Sequence, residues 1–286
     1  GTLNASGAEV AKAQICNLYD VYNHIILEGE IAPYVTSERT QAARLIERLE
    51  EKSRQLEIEN LYLFDRGFPS RELIRTLGSS PYIFRVSKAF LAPINRANQA
   101  DQLVEITDDQ GNQHQVRVLN ITLPSGATEK LFSNIIDEKV RIEDFKELYQ
   151  KRWEIETQYR TLKSVFEIEC FSSSNLQLIE QDFYATMYVF NLLAVAQNYA
   201  NEELKQEKAD LTYEYKTNTN VAFSELKDIV LDIVLSKNPF KKLFVMRKLL
   251  NRIKRYSLPV RPNRASTPRK VRFACVKFPF NTRKNH

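Results

Sequence analysis

The first ninety residues alternate between apolar runs typical of strands and runs with helical periodicity. The predicted elements, in chain order, are strands over 15–22 and 25–31, a helix over 37–55, a strand over 60–64, a helix over 70–77 and a strand over 82–86. Ser37 is the predicted N-cap of the first helix. The two opening strands are predicted to form a hairpin that turns near Asn23 and His24. Strands that alternate with helices in this way indicate an α/β domain.

The pattern changes after this part of the chain. Residues 90–136 show β signals, and the chain after Arg141 is mainly helical. We therefore expect four segments, which are a first core part at 1–89, a β insertion at 90–136, a second core part at 137–236 and a C-terminal tail at 237–286. The longest apolar stretch, 183–200, is interrupted by three side-chain amides, so a buried core helix is expected there and not a membrane span.

One predicted helix carries Tyr149, Arg152, Glu156, Arg160 and Lys163. At about 100° per residue, these five side chains project within a sector of roughly 80°. The ridge offers one carboxylate beside several cations and a phenol, which are groups that can hold a metal ion against a phosphodiester. The alternative is a solvated helix face with ordinary ion pairs between residues four apart.

A second candidate position lies about ninety residues earlier, where the predicted strand 60–64 ends directly in Asp65. Gly67 and Pro69 follow and favour a turn that opens a helix. An acidic residue at the C-terminal end of a strand is where α/β sheets commonly place chemistry. Arg66, next to it, is a candidate phosphate ligand, although pairing with a carboxylate is an equal alternative.

The Asp-Arg-Gly-aromatic run at 65–68 and the spacing Y-x2-R-x3-E-x6-K together resemble the DDE transposases of bacterial insertion sequences, of the IS-four type. Similar blocks recur in the family's order at 18–21, 32–34, 37–39, 84–86, 131–134, 152–156 and 259–262. The resemblance implies an RNase-H-like α/β fold. Such a fold has a central mixed sheet with flanking helices, a β-rich insertion before the last catalytic helix and a helical, basic C-terminal part.

The resemblance also implies the chemistry. Asp65 matches the second catalytic acid and Glu156 the third, and such acids hold two Mg²⁺ or Mn²⁺ ions about 4 Å apart. With water as the nucleophile the DNA strand is nicked, and with a DNA 3′-hydroxyl it is joined to a new site. The implied partners are double-stranded DNA, at the element's terminal inverted repeats and at the target, and a second copy in a homodimeric synaptic complex.

The same resemblance gives roles to the basic residues. Tyr149 and Arg152 are expected to contact phosphates of the DNA end. Lys163, one turn beyond Arg160, is expected near the scissile phosphate, and Arg85 matches a basic position that also faces DNA. For each cation an ordinary surface ion pair is the alternative.

The family's first catalytic acid has no match in this chain. It would immediately precede Gly1, so the chain is interpreted as a fragment that begins inside the catalytic domain. Asp20 lies inside a predicted strand and is expected to be structural. Trp153, the single Trp, is expected in the core, which leaves a hairpin pathway with a flipped base unsupported. A nuclease that cuts without joining and a non-catalytic DNA-binding remnant are the alternative functions.

Charge is distributed unevenly along the chain. Of 41 basic and 36 acidic residues, 16 basic residues and no acid lie in 237–286, so the rest of the chain has a net charge of −11. Such asymmetry favours a polyanionic partner, with a solubilising tail as the alternative. Aromatic residues interleave with these cations, which favours a partly folded, DNA-facing segment. Three cysteines without paired spacing favour a reducing cytosol and give no zinc site. The family resemblance implies a bacterial cytoplasmic, nucleoid-associated location.

Overall fold

The structure is a computed structural model that describes residues 2–3, 9–10, 13–87, 90–123, 125–173 and 175–261. The strands are β1 (Thr2–Leu3), β2 (Glu9–Val10), β3 (Ala13–Asp20), β4 (Ile25–Pro33), β5 (Tyr62–Phe64), β6 (Tyr82–Arg85), β7 (Asp101–Thr107), β8 (Gln113–Thr122), β9 (Thr128–Ser133), β10 (Tyr215–Lys216) and β11 (Leu258–Pro259). The helices are α1 (Glu38–Leu56), α2 (Arg71–Leu77), α3 (Ala92–Arg96), α4 (Ile142–Gln150), α5 (Glu154–Ser164), α6 (Leu176–Glu207), α7 (Thr219–Leu235) and α8 (Pro239–Arg255), with a 3-10 turn at Lys151–Trp153.

The chain divides into two compact units, and each is described by itself. The first comprises Gly1–Val21 and Leu27–Thr157, and the second comprises Tyr22–Ile26 and Gln158–His286. The boundary falls inside α5. The tail residues 262–286 lie outside the described residues, so the structure describes about half of the predicted basic tail.

A five-stranded mixed sheet forms the centre of the first unit, in the order β5-β6-β9-β8-β7. The β5–β6 pair is parallel and the other pairs are antiparallel. Strands β3 and β4 form a separate two-stranded sheet. With helices flanking the sheet, the α/β, RNase-H-like expectation is confirmed.

The two faces of the sheet carry different residues because side chains alternate along each strand. On one face, Phe64, Phe84 and Phe132 lie on neighbouring strands with stacked rings, whose centroids are 4.5 and 5.0 Å apart. This face packs in a core cluster that includes residues of α1, α2 and α3. The opposite face packs against Phe145 and Tyr149 of α4. Helix α4 is thereby held over the sheet, which positions the helical segment that follows it.

The strands of 90–136 are hydrogen-bonded into this same sheet, since β9 pairs directly with β6. The register places Arg85 opposite Leu131. The division into four segments stays a prediction. At the helix starts, Ser70 caps α2 by accepting a hydrogen bond from the Leu73 amide at 3.1 Å, whereas the Ser37 side chain makes no such bond at the start of α1.

The second unit is mainly helical, and its helices begin at asparagine N-caps. Asn175, Asn218 and Asn238 each accept a hydrogen bond from an amide in the first turn of the following helix. In α6, the Asn191 side chain accepts from the Ile26 amide at 2.7 Å and donates to the Ile26 carbonyl at 2.8 Å. Asn198, a second amide of this stretch, donates to the Asn23 carbonyl in the β3–β4 turn at 2.6 Å. Within the described ranges, no helix is long and apolar enough to cross a membrane.

Helix α6 is only partly the buried core helix that was expected. Phe183, Phe190 and Leu193 are buried, but the face with Tyr184, Tyr188 and Tyr199 is exposed. Burial is confined to one side because apolar residues recur on both faces of the helix while neighbouring elements cover only one.

Candidate active site

Asp65 follows β5 directly, at the edge where the parallel strands β5 and β6 end. Its carbonyl accepts a hydrogen bond from the Phe68 amide at 3.0 Å, which closes the turn. Arg39 of α1 donates from Nε to the Gly67 carbonyl at 2.8 Å and fixes the turn from the other side. The Asp65 side chain is about two-fifths exposed (39%). The carboxylate is therefore held by its backbone while it remains accessible to solvent.

Two groups approach the same oxygen of Asp65. The Arg85 Nη1 atom lies 3.7 Å from Asp65 Oδ1. The Tyr149 hydroxyl, on a side chain only 3% exposed, lies 3.5 Å from Oδ1 and 3.4 Å from the Phe64 carbonyl. Burial raises the pKa of Tyr149 above its usual range, against the opposing effect of Arg152. The phenol is therefore protonated at neutral pH and can only donate to the carboxylate.

Tyr149 is thus buried beside the acid. Its expected contact with DNA phosphates stays a prediction. Because the ring is buried, only the hydroxyl could make that contact.

A further acid, Glu129, lies next to Arg85 and was missed by the sequence analysis. Arg85 forms an ion pair with Glu129, with 3.0 Å between Arg85 Nε and Glu129 Oε1. Glu129 lies on β9, two residues before the Leu131 that faces Arg85, so both side chains lie on the face that α4 covers. The guanidinium bridges two carboxylates. The local pattern gave no signal for this contact, because it depends on β9 pairing with β6.

Glu156 lies in the first turn of α5 and is contacted by Arg152. Arg152 Nη1 and Nη2 lie 3.3 and 3.4 Å from Glu156 Oε1. The Arg152 guanidinium also lies over the rings of Trp153 and Tyr149, 4.7 and 5.7 Å from their centroids. Arg152 is buried, and within the described structure its Nε has no hydrogen-bond partner. Buried Arg152 therefore connects the Tyr149 side of the site to Glu156.

The expectation of one uninterrupted helical ridge was wrong. A 3-10 turn at Lys151–Trp153 separates α4 from α5, and its different periodicity changes which residues face the core. Tyr149 and Arg152 turn inward, whereas Glu156 stays exposed. For the same reason the expectation of a buried Trp153 was wrong, since 55% of that residue is exposed.

The remaining predicted cations are exposed. Lys163, near the end of α5, forms an ion pair with Glu169 at 2.8 Å, as the surface alternative anticipated. Within the described parts of the chain, the side chains of Arg66 and Arg160 have no hydrogen-bond or ion-pair partner, so the carboxylate alternative for Arg66 is not found. Asp20 is the last residue of β3, and its structural role stays a prediction.

Asp65 and Glu156 are the predicted donors for a metal ion. No group of three or more His, Cys, Asp or Glu side chains suited to a metal occurs among the described residues. Two accessible carboxylates nevertheless fit Mg²⁺, which usually takes one or two protein carboxylates and completes its octahedron with water and substrate phosphates. The donor chemistry therefore fits a hard divalent cation that binds together with a phosphodiester.

The basic tail is partly neutralised within the second unit. Residues 237–261 contain nine of its sixteen cations. Four of them form ion pairs at 2.6–2.9 Å, which are Lys241 with Asp232, Arg247 with Glu203, Arg252 with Glu225, and Lys254 with Glu203 and Glu207. Within the described residues Lys237, Lys242, Lys248 and Arg255 have no ion-pair partner. The tail is thus not a uniform DNA-facing surface in its described part.

Comparison with known proteins bears on this arrangement. A family model described as transposase DDE domain matches residues 6–192. The chain belongs to this family. The matched range includes every predicted site residue, and the IS-four resemblance is confirmed.

A comparison with individual proteins supports the same assignment. The chain is similar to "Transposase InsG for insertion sequence element IS4" of Escherichia coli (strain K12), with 24% identity over 290 residues. The alignment covers 95% of this chain and 62% of the relative. The chain therefore spans less than two thirds of that protein's length.

Proposed function

We propose that this chain is the catalytic part of an insertion-sequence transposase that cleaves DNA at element ends and joins those ends to target DNA. The observation that supports this most directly is the placement of Asp65. It lies at the end of a buried parallel strand beside Tyr149 and Arg85, while Arg152 connects this group to Glu156. Transposase DDE family membership supplies the reaction class.

Asp65 and Glu156 would hold divalent ions, which supply Lewis-acid stabilisation of the attacking and leaving oxygens of the phosphodiester. Tyr149 donates a hydrogen bond to Asp65 and fixes the direction of its carboxylate. Arg152 limits the rotamers of Glu156 through its contact with Oε1. Preorganised carboxylates of this kind need little rearrangement during the reaction.

Exposed cations would hold the DNA. Arg66 lies directly beside Asp65 in sequence, and Arg160 and Lys163 lie farther along α5. Their partners would be phosphate oxygens, which position the duplex without reading its sequence. Terminal inverted repeats as the bound DNA, a homodimeric synaptic complex and a cytoplasmic, nucleoid-associated location belong to the same proposal.

The test is a strand-transfer assay with pre-cut element ends in Mg²⁺, on the natural protein that carries this domain. Asp65→Asn and Glu156→Gln should each lower cleavage and joining by at least about 100-fold, because each removes a metal-holding charge. Glu147→Gln is the matched control, since Glu147 is an exposed acid on α4 with no partner among the described residues. Its activity should remain within about twofold of the wild type.

The outcomes separate the alternatives. Cleavage without joining would support the nuclease that cuts only. DNA binding with no cleavage would support the non-catalytic remnant. Full activity of Asp65→Asn would contradict the proposed site.

A further inference from the structure

Asp65, Arg85 and Glu129 form a row of alternating charge across three neighbouring strands, β5, β6 and β9. Arg85 lies 3.0 Å from Glu129 and 3.7 Å from Asp65 in its two ion pairs, so its closer partner is the acid with no predicted role. The Glu129 side chain is 15% exposed and that of Asp65 is 39% exposed. The less solvated carboxylate holds the cation, and the more accessible one is left partly free.

The backbone keeps this arrangement in place. Beyond the last residue of β6, the Val86 amide donates to the Lys130 carbonyl at 3.0 Å, which extends the β6–β9 pairing alongside Glu129. On its other side Glu129 faces Ile121 of β8. Because both neighbouring strands hold β9, the backbone at Glu129 is fixed by the sheet, and its side chain projects on the same face as Arg85.

We propose that Glu129 is a positioning residue for the metal site. By engaging Nε, it keeps Arg85 from closing on Asp65 as a bidentate pair, the geometry that arginine and carboxylate otherwise favour. No hydrogen bond to Asp65 Oδ2 is found among the described residues, so this oxygen remains available to a divalent cation. Glu129 acts through Arg85 and does not itself bind the ion. This inference rests on the proposed function, since it assumes that Asp65 is a metal ligand.

The test measures Mn²⁺ binding to the chain in the absence of DNA, from the electron paramagnetic resonance signal of the free ion. Glu129→Gln should raise the Kd of Mn²⁺ about tenfold, because the released Arg85 pairs with Asp65 and competes with the ion. In the Arg85→Gln background the same substitution should change the Kd by less than about twofold. Glu129→Asp, which retains the carboxylate, should recover most of the affinity.

Arg85→Gln alone provides a second measurement that does not depend on the folding of the Glu129 variants. It removes a cation 3.7 Å from Asp65, so it should lower the Kd of Mn²⁺. A higher Kd in Arg85→Gln would overturn the inference. So would an equal effect of Glu129→Gln with and without Arg85, since Glu129 would then act on the ion directly.

Asp65→Asn separates this inference from the proposed function. If Asp65→Asn leaves the Kd unchanged, Asp65 is not a metal ligand and both proposals fail. If Asp65→Asn weakens binding and Glu129→Gln does not, only the role of Glu129 fails. Thermal unfolding of each variant shows whether the fold is retained.

Discussion

Three arginines of the first unit are used differently from two arginines of the second. In the first unit, Arg85, Arg117 and Arg152 are largely withdrawn from solvent and each contacts more than one group. In the second unit, Arg247 and Arg252 pair with acids of other helices while their side chains stay 63% and 41% exposed. The same residue type therefore organises a site in one region and covers a helix surface in the other.

The difference follows from solvation. An ion pair in water gains little, because the charges are screened and two long side chains lose conformational freedom. A withdrawn guanidinium has lost its hydration, so its charge depends on acceptors and acids within the protein. A substitution that removes such a cation leaves those acceptors without partners. The number of cations along a sequence therefore says little about their contribution to stability until their burial is known.

The largest loss in the free energy of unfolding is expected when Arg117 is replaced. It donates twice to Asp101, at 2.8 and 2.5 Å, and from Nη1 to the carbonyls of Asp137 and Val140, and it lies over the Phe145 ring. Arg117→Ala should lower the free energy of unfolding by about 3–5 kcal/mol, because a nearly buried pair is broken and two carbonyls lose their donor. Urea unfolding measures this change.

Arg252→Ala is the matched control in the second unit. Its exposed pair with Glu225 should cost no more than about 1 kcal/mol when broken. Equal losses for Arg117→Ala and Arg252→Ala would mean that burial does not distinguish the two regions.

A smaller effect is expected at Tyr149, where packing and chemistry can be separated. Tyr149→Phe keeps the buried ring and removes hydrogen bonds of 3.4 and 3.5 Å, so it should lower the free energy of unfolding by about 1 kcal/mol or less. If the hydroxyl orients Asp65, cleavage should fall by about tenfold or more. Tyr62→Phe is the control, since the Tyr62 hydroxyl donates to Glu50 and not to Asp65. Similar activity losses in both variants would argue against a role for the Tyr149 hydroxyl.

Local patterns in the sequence predicted the elements around Asp65 well. The run from β5 through α2 to β6 was predicted to within two residues at each end, because a short apolar strand, a turn and a capped helix are specified by neighbouring residues. The pairing of Arg152 with Glu156 also followed from spacing, since residues four apart on a helix are neighbours.

Features that depend on distant residues could not be predicted. Glu129 comes beside Arg85 only through the antiparallel pairing of β9 with β6. The exposure of Trp153 depends on a 3-10 turn that the assumption of a continuous helix excluded. In the tail, the acids that neutralise α8 lie 9 to 51 positions earlier in the chain, so a count within 237–286 misses them.

The unpaired cations of α8 provide the next comparison. Lys248→Gln combined with Arg255→Gln should weaken binding to any duplex and flatten the dependence of log K on log salt by about 0.9 for each lost phosphate contact. Arg247→Gln combined with Arg252→Gln removes the same charge from cations already paired with Glu203 and Glu225. This second double variant should change the salt slope less than the first. Equal slopes for both double variants would show that DNA competes successfully for the paired cations.

The smallest expected effect concerns the loss of folding stability at low pH, which is compared for Asp108 and Glu203. Asp108 lies in the β7–β8 turn, is almost fully buried, and accepts a hydrogen bond from His114 Nε2 at 3.0 Å. That bond is the largest cause of a pKa well below the ordinary 3.8, with further lowering by Asn112 and Gln110. In Glu203, the hydrogen bond from Lys254 lowers the pKa on a side chain 31% exposed to solvent.

A lowered folded-state pKa means that the unfolded chain binds protons first as the pH falls. The contribution of each acid to stability is therefore complete above its unfolded pKa and is lost as the pH falls through its folded pKa. Urea unfolding at several pH values below about 5 should show that Asp108→Asn flattens the acid limb of the stability curve. Glu203→Gln should flatten it less, because the Glu203 side chain is 31% exposed and water screens its ion pair more than it screens the buried Asp108. A larger flattening in Glu203→Gln would reverse the comparison between the two units, since the exposed pair would then contribute more than the buried turn.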